Sequence, residues 1–421
     1  MKVKIVTFAG VLLYGSLILL ILSPFISTSF GMPRVDTGLM PIYLFITFLA
    51  MFAFPMKREV LYVFVCFLGI AFFSFISLIL NFSLDRFIDV NFFCYILFLF
   101  YFSYIYLQKN ALKKIRILLF IIFSLISTGF FSELVLGVQL VSGNDQLEVS
   151  AGAFKGFFFN TNDQAVVATV LCTAVVYFYI IKKESKSMVS IGYFILLILG
   201  IIIFVSASRA ALVAFLFILF IALYLSASKI FKIFYAAFSL IFLLFIFNIS
   251  YLKPILDFLA GFSWLERSVQ RLELAIFSLD EDNSVGYRTE IYQKFIENFK
   301  IVWVGYGPRN YEGYFKDYPL SYSLGYANPH SFFIEIYLAF GLFAFIFFIA
   351  FLLQSALLVC RKKTIYSSEK FFFILCILIF CWLLWVPSSV LRLPLIWYPL
   401  FLILLYMLLH ESNSRKINSG I

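Results

Sequence analysis

Apolar runs of about 18–20 residues recur from one end of this chain to the other, and nearly all are closed by short polar turns. A helix rising 1.5 Å per residue crosses the hydrocarbon core of a bilayer in such a run. The period-two alternation of a closed barrel is absent. The pattern predicts helices over 5–25, 38–55, 60–80, 88–107, 117–137, 165–181, 189–206, 210–226, 234–251, 331–359, 371–386 and 396–410. One interval breaks the rhythm. From Lys253 to Pro329 the chain holds eight basic and ten acidic residues, and the apolar runs resume just after His330. The predicted fold is an all-α polytopic membrane protein of about 12 transmembrane helices. Nine spans fill 1–251, with an external loop at 138–164. A helical extracytoplasmic lobe follows over 252–330, and 331–421 supplies three more spans and a short tail.

Composition agrees with this picture. The 421 residues are 63% hydrophobic and only 13% charged, about half the charged share of a soluble domain. The net charge of +10 would suit nucleic acid, but the basic residues crowd into short turns, so topology explains them and no nucleic-acid partner is expected. Of 32 basic residues, 19 fall on the side of the N-terminus, eight in the lobe and five in the other external loops. The positive-inside rule then puts both termini in the cytoplasm and the lobe outside. The first run, after Met1-Lys2-Val3-Lys4, lacks a clear cleavage site and reads as a retained helix. The six cysteines have no metal or redox spacing and read as small buried hydrophobes.

Candidate chemistry gathers on the external side. Arg209, in Ser206-Ala207-Ser208-Arg209, separates two apolar runs with almost no loop. An arginine at membrane depth costs about 2.5–3.5 kcal/mol and generally has a partner or a task. Its planar guanidinium matches phosphate oxygens, although snorkelling to the interface is the plain alternative. The lobe reads as two amphipathic helices, one from Trp264 to Phe277 and one beginning near Tyr287. On the second, Arg288 shares a face with Tyr292, Phe295 and Phe299. Placed in the first turn it would add to the anion preference of a helix N-terminus; an ion pair with Glu290 is the alternative. Asp280-Glu281-Asp282 is formally a D-x-D, read as an acidic turn rather than a metal site. Gly305-Tyr306-Gly307-Pro308-Arg309-Asn310 is a tight turn that folds the lobe back toward the membrane, and Arg309 adds to an anion-binding surface, as does Arg392. Asn328-Pro329-His330-Ser331 starts the next span and puts an imidazole, a common general base, at the membrane mouth. Glu335 is five residues on, well round the helix from His330, a poor position for a direct dyad. His410 reads as an interfacial residue at the other side.

These residues resemble a known family. Ser208-Arg209, Arg288, Gly305-Tyr306-Gly307, Asn328-Pro329-His330-Ser331-Phe332-Phe333-Ile334-Glu335 and Gly341-Leu342 follow one another as in the O-antigen ligase/O-antigen polymerase superfamily. The stretch from Gly156 to Asp163 is similar to that family's first external loop; Lys155 and Asp163 of this loop have no assigned role. The resemblance implies a metal-independent glycosyltransferase of the bacterial inner membrane, with no cofactor. It implies transfer from an undecaprenyl-diphosphate-linked oligosaccharide to an acceptor glycan or glycolipid. Arg209, Arg288 and Arg309 would hold the diphosphate, and His330 would serve the acceptor hydroxyl. Polymerisation of O-antigen or capsule repeat units is the favoured role, with a chain-length regulator protein as a further partner. Ligation of glycan to lipid A-core is the alternative. A twelve-helix transporter or flippase is the reading from another class; the external, late position of the long lobe and the lack of internal repeats argue against it.

Overall fold

A computed structural model describes residues 2–31, 35–81, 87–137, 139–141, 154–227, 253–262, 265–278, 283–308, 310, 312–321, 331–385 and 393–410. The expected span 234–251 lies outside them, as do Arg309, His330, Arg392 and the Asp280-Glu281-Asp282 triplet. The described residues are helical and contain no strand. In order they form α1 (Lys2–Phe30), α2 (Val35–Ala53), α3 (Arg58–Leu80), α4 (Phe87–Tyr106), α5 (Ala111–Leu136), α6 (Thr161–Val175), α7 (Lys186–Val205) and α8 (Arg209–Ser226). The polar segment gives α9 (Lys253–Ala260), α10 (Glu266–Phe277), α11 (Asn283–Glu297) and α12 (Glu312–Asp317). Then come α13 (Phe332–Arg361), α14 (Ser367–Trp385) and α15 (Pro394–Leu409). Eight described helices are long and apolar enough to cross a membrane, and Pro41–Ala53, Phe93–Tyr106 and Pro394–Leu409 are shorter apolar stretches. The chain is an all-α polytopic membrane protein.

Three helices sit inside the bundle. α4 from Phe93 onward, α6 and α15 are largely apolar and are buried on nearly every side. Small residues on α6 (Ala165, Ala168, Thr169, Thr173, Ala174) let its neighbours approach closely. At its end α6 widens into a π-turn, Val176–Ile181, closed by the Lys182 N–H on the Tyr177 carbonyl at 2.9 Å. Helices α2, α3, α7 and α8 lie outside and keep one apolar face open, as Phe45, Phe48 and Phe52 of α2 do. Bilayer hydrocarbon is the solvent that suits such a surface.

One end of the bundle, here the basic end, is closed by cations on helix C-termini. The Lys114 ammonium donates to the Tyr106 carbonyl at 2.6 Å, and that of Lys362 to Met407 and Leu408 at 2.8 and 2.7 Å. Lys370 Nζ donates to Cys360 O at 2.7 Å. Arg116, nearly buried, donates to the carbonyls of Phe178 (3.0 Å) and Lys182 (2.8 Å) and pairs with Glu184. Lys182 meets Glu369 at 2.6 Å. His410 caps the end of α15 and its ring nitrogen lies 2.9 Å from Leu107 O. The basic residues counted for topology are thus also the partners of carbonyls that helix ends leave open.

α13 departs from the expected single span over 331–359. Gly341 has φ +86° and ψ 179°, which no helix contains. The rings of Phe332 and Phe348 are 5.0 Å apart, and those of Tyr337 and Phe345 are 6.0 Å apart. A straight helix would hold 332 and 348 about 24 Å apart. α13 is therefore a hairpin: a short arm, 332–340, folded against a long arm, 342–361. The polar segment fills the break. Tyr306 and Gly307 donate their N–H groups to Leu338 and Ala339 at 2.8 and 3.0 Å, and Leu342 donates to Val302 at 2.7 Å. The Ser77 hydroxyl of α3 also donates to Ala339 O at 2.7 Å. The carbonyls freed by the broken helix are satisfied by these partners, as irregular backbone at membrane depth requires. Contact is so close that a Cβ on Gly305 would lie 2.4 Å from Ala339 O.

Two further expectations are corrected. α11 begins at Asn283 rather than near Tyr287, so Arg288 stands in its second turn, past the reach of the free N–H groups and the helix dipole. Cys66, Cys172 and Cys376 are buried as expected and Cys94 and Cys381 half-buried, but Cys360 is exposed, on the last turn of α13.

Candidate functional site

The other end of the bundle carries the polar segment, and four features converge there. The first is the tight turn between α7 and α8. Ala207 takes φ +56°, which sends the chain straight back into the membrane. Ser208 then starts α8 without a side-chain cap, and Arg209 is its first residue, half-buried. Gln164, fully buried in the first turn of α6, receives the Ser206 hydroxyl at 3.5 Å. Helix α10 covers the turn, its buried Ser268 donating to the Val205 carbonyl at 3.0 Å.

The second feature is the loop before α6. The chain from 154 to 160 is fastened by Glu133, an acid in the last turn of α5 that is 1% exposed. Its carboxylate accepts N–H groups of Leu140 (2.8 Å), Lys155 (2.7 Å) and Gly156 (2.7 Å). Asn160 caps α6 by accepting the Asn162 N–H at 2.8 Å. Glu133 was not singled out from the sequence, although an acid within an apolar run is itself a signal.

The third is the pair Trp382 and Trp385 on the last turn of α14. Trp382 donates its indole N–H to Ala210 O, beside Arg209, at 3.1 Å. The Trp385 carbonyl accepts the Tyr292 hydroxyl of α11 at 3.1 Å, and the two rings are 5.8 Å apart. Three residues of helix separate the tryptophans by about 4.5 Å of rise. The elements bearing Arg209 and Arg288 are thus tied to the same end of one helix.

The short arm of α13 is the fourth. Phe333 packs on Trp385 at 5.7 Å. Ser331, the residue after His330, and Glu335 are both fully buried, and the Glu335 N–H closes the first turn on Ser331 O at 2.8 Å. Burial pushes the Tyr292 phenol above its ordinary value; Arg288 acts against that shift and Glu335 with it. Arg288, Tyr292 and Glu335 thus share one electrostatic neighbourhood. Glu290 is occupied with Ser321, whose hydroxyl it accepts at 2.8 Å.

The level of this site follows from the aromatic packing. Phe332 and Phe348 both pack on Trp397, in the first turn of α15, at 5.6 and 5.8 Å. Seven residues of helix separate Phe348 from the break at Gly341, about 10 Å. The short arm and α15 therefore start at one level, about 10 Å inside the bundle. Discontinuous helices with their N-termini inside a membrane protein are a recurrent way to build polar sites there. Of the expected site residues, Arg209 and Arg288 are brought to this region; Arg309 and His330 lie outside the described residues.

The fold and these interrupted helices define a multi-pass membrane protein with a polar segment packed onto one end of its bundle. Residues 193–349 match the family described as Wzy_C, O-Antigen ligase. The segment contains Arg209, Arg288, Arg309 and His330, the break at Gly341, the short arm and the start of the long arm. The match supports the O-antigen ligase/polymerase superfamily, and with it an enzyme of that general glycan-transferring type. No curated protein matches the chain.

Proposed function

We propose that the enzyme moves a glycan from an undecaprenyl-diphosphate carrier to an acceptor sugar hydroxyl, joining O-antigen or capsule repeat units at the outer face of the inner membrane. In this reading the basic end is cytoplasmic and the polar segment is external. The acceptor oxygen attacks the anomeric carbon of the donor, the bond from that carbon to the phosphate oxygen breaks, and the diphosphate departs with the bonding pair. His330 takes the hydroxyl proton. Arg209 and Arg288, with Arg309, meet the charge that grows on the diphosphate, a role for which fixed guanidinium groups are suited. Countercharge comes from these groups rather than a divalent cation, so chelation with EDTA leaves the rate unchanged.

The observation that carries the reading is the tether at the end of α14. Trp382 holds the start of α8 and Trp385 holds α11, which supports two arginines acting on one anionic group. The test is complementation of a deletion strain that carries the matching sugar locus. Wild type restores a ladder of surface glycan; Arg209→Ala, Arg288→Ala and His330→Ala, at equal expression, do not. A ladder from all three variants overturns the assignment of the site. A deletion strain that keeps polymer on the carrier lipid and none on the lipid A-core overturns polymerisation in favour of ligation.

A further inference from the structure

A cavity of about 890 Å³ opens at the basic end, between the start of α1, the end of α2, the end of α4 and the start of α5. Its wall is apolar (Val6, Val11, Phe54, Ile105) and its rim is basic (Lys109, Lys114). Among the described lining residues none is acidic. Tyr14 and Tyr106, whose hydroxyls are 2.7 Å apart, both line it. From Ile5 to Tyr14 the groove follows α1 for about 13 Å. Val11 and its neighbour Phe8 are exposed on the outer face of α1, so the opening faces bilayer rather than protein.

Charge and polarity run in one direction along this groove. Lys109 is exposed at the rim. Lys114 gives one N–H to the Tyr106 carbonyl and sits 4.3 Å from the centroid of that ring. An ammonium has three donors, so further N–H groups remain for an anion. Most of the lining is apolar, so water filling the groove would find few partners there. An amphiphile with a negative head and an apolar tail satisfies both parts.

We propose that this groove holds one anionic phospholipid, with its phosphate on the Lys109–Lys114 rim and an acyl chain laid along α1 toward the tyrosine pair. The proposal needs only the membrane-spanning architecture and is independent of the transfer reaction. The lipid would brace the junction of α1, α4 and α5, three helices that otherwise leave a void there.

Native mass spectrometry of the full chain in detergent tests this, with phosphatidylglycerol, phosphatidylcholine and inorganic phosphate as separate probes. Wild type is expected to retain one phosphatidylglycerol about tenfold more tightly than phosphatidylcholine, and to show no phosphate adduct. Lys109→Glu, at an exposed position, should weaken phosphatidylglycerol by about tenfold. Val11→Trp, which fills the mouth and keeps both lysines, should remove the adduct; Lys114→Arg should keep it. Equal retention of the two lipids overturns the charge assignment. An unchanged adduct in Lys109→Glu or in Val11→Trp overturns the site, and saturable phosphate binding with no lipid preference makes it an ion site instead.

Discussion

Replacing Gly341 by alanine tests the hairpin in α13 most directly. At φ +86° and ψ 179° the residue occupies a region open essentially to glycine alone, and a side chain there costs about 1–3 kcal/mol of strain. The added Cβ would stand 2.4 Å from the Trp303 carbonyl oxygen, an impossible contact with backbone that cannot swing away. Relief requires the 302–307 segment to withdraw. The nearest bond, Leu342 N–H to Val302 O at 2.7 Å, is the first to go, and a buried pair left open adds about 1–3 kcal/mol. The sum is about 2–6 kcal/mol. Amide hydrogen exchange in detergent reads this locally. In the wild-type protein the amides of Tyr306, Gly307 and Leu342 exchange slowly; in Gly341→Ala all three lose protection together, while α4 and α6 keep theirs. Gly15→Ala is the control, because a Cβ there meets nothing within 4 Å and alanine favours the helix by about 0.5–1 kcal/mol. A Gly341→Ala protein with wild-type protection at the three amides would falsify the hairpin and the account of how the break is satisfied.

Other substitutions probe separate parts of the molecule. Glu133→Gln retains the shape but leaves fewer acceptor positions for three N–H donors, so about 2 kcal/mol is lost at the loop, read as faster exchange at Lys155 and Gly156. Trp382→Phe removes the bond to Ala210 O and keeps the ring; it should cost about 1 kcal/mol in stability and shorten the glycan ladder, and a full ladder would detach the tether from activity. Lys182→Met strands the buried Glu369 carboxylate beside Tyr177 and should destabilise by about 3–5 kcal/mol in thermal unfolding. Adding Glu369→Leu to that variant should recover most of the loss; no recovery would mean the lysine acts through something other than the pair.

The spans were legible because bilayer thickness fixes the length of an apolar run, and the basic turns because cations gather at one side. Phe87–Tyr106 and Lys186–Val205, for example, lie within two to three residues of the helices the pattern predicts. The hairpin was not legible, since both arms of α13 are equally apolar and Gly341 looks like many glycines in a span. Its length was the available signal: 30 helical residues is about 45 Å, more than a bilayer needs. The order of motifs pointed to Arg209, Arg288 and the Gly305–Gly307 turn, and the structure brings all three to the same end of the bundle. The first-turn role imagined for Arg288 failed because Asn283, ahead of Val285, already starts the helix. The tryptophan tether was hidden, because indole-to-carbonyl bonds between helices leave no spacing pattern in a chain where aromatics are 21% of residues.

The docking of 302–307 into the broken helix also sets where this protein can be cut and recombined. A chimera that exchanges only the polar segment between relatives would pair one parent's 302–307 backbone with the other parent's 338–342, where clearances are fixed by Gly305 and Gly341. The donor must bring both strands of that seam, and with them the Ser77 and Asn81 contacts of α3, since the Asn81 amide reaches the Gly305 carbonyl at 3.2 Å. The exchangeable unit is therefore discontinuous in sequence, with a crossover placed inside the long arm of α13 rather than at its start.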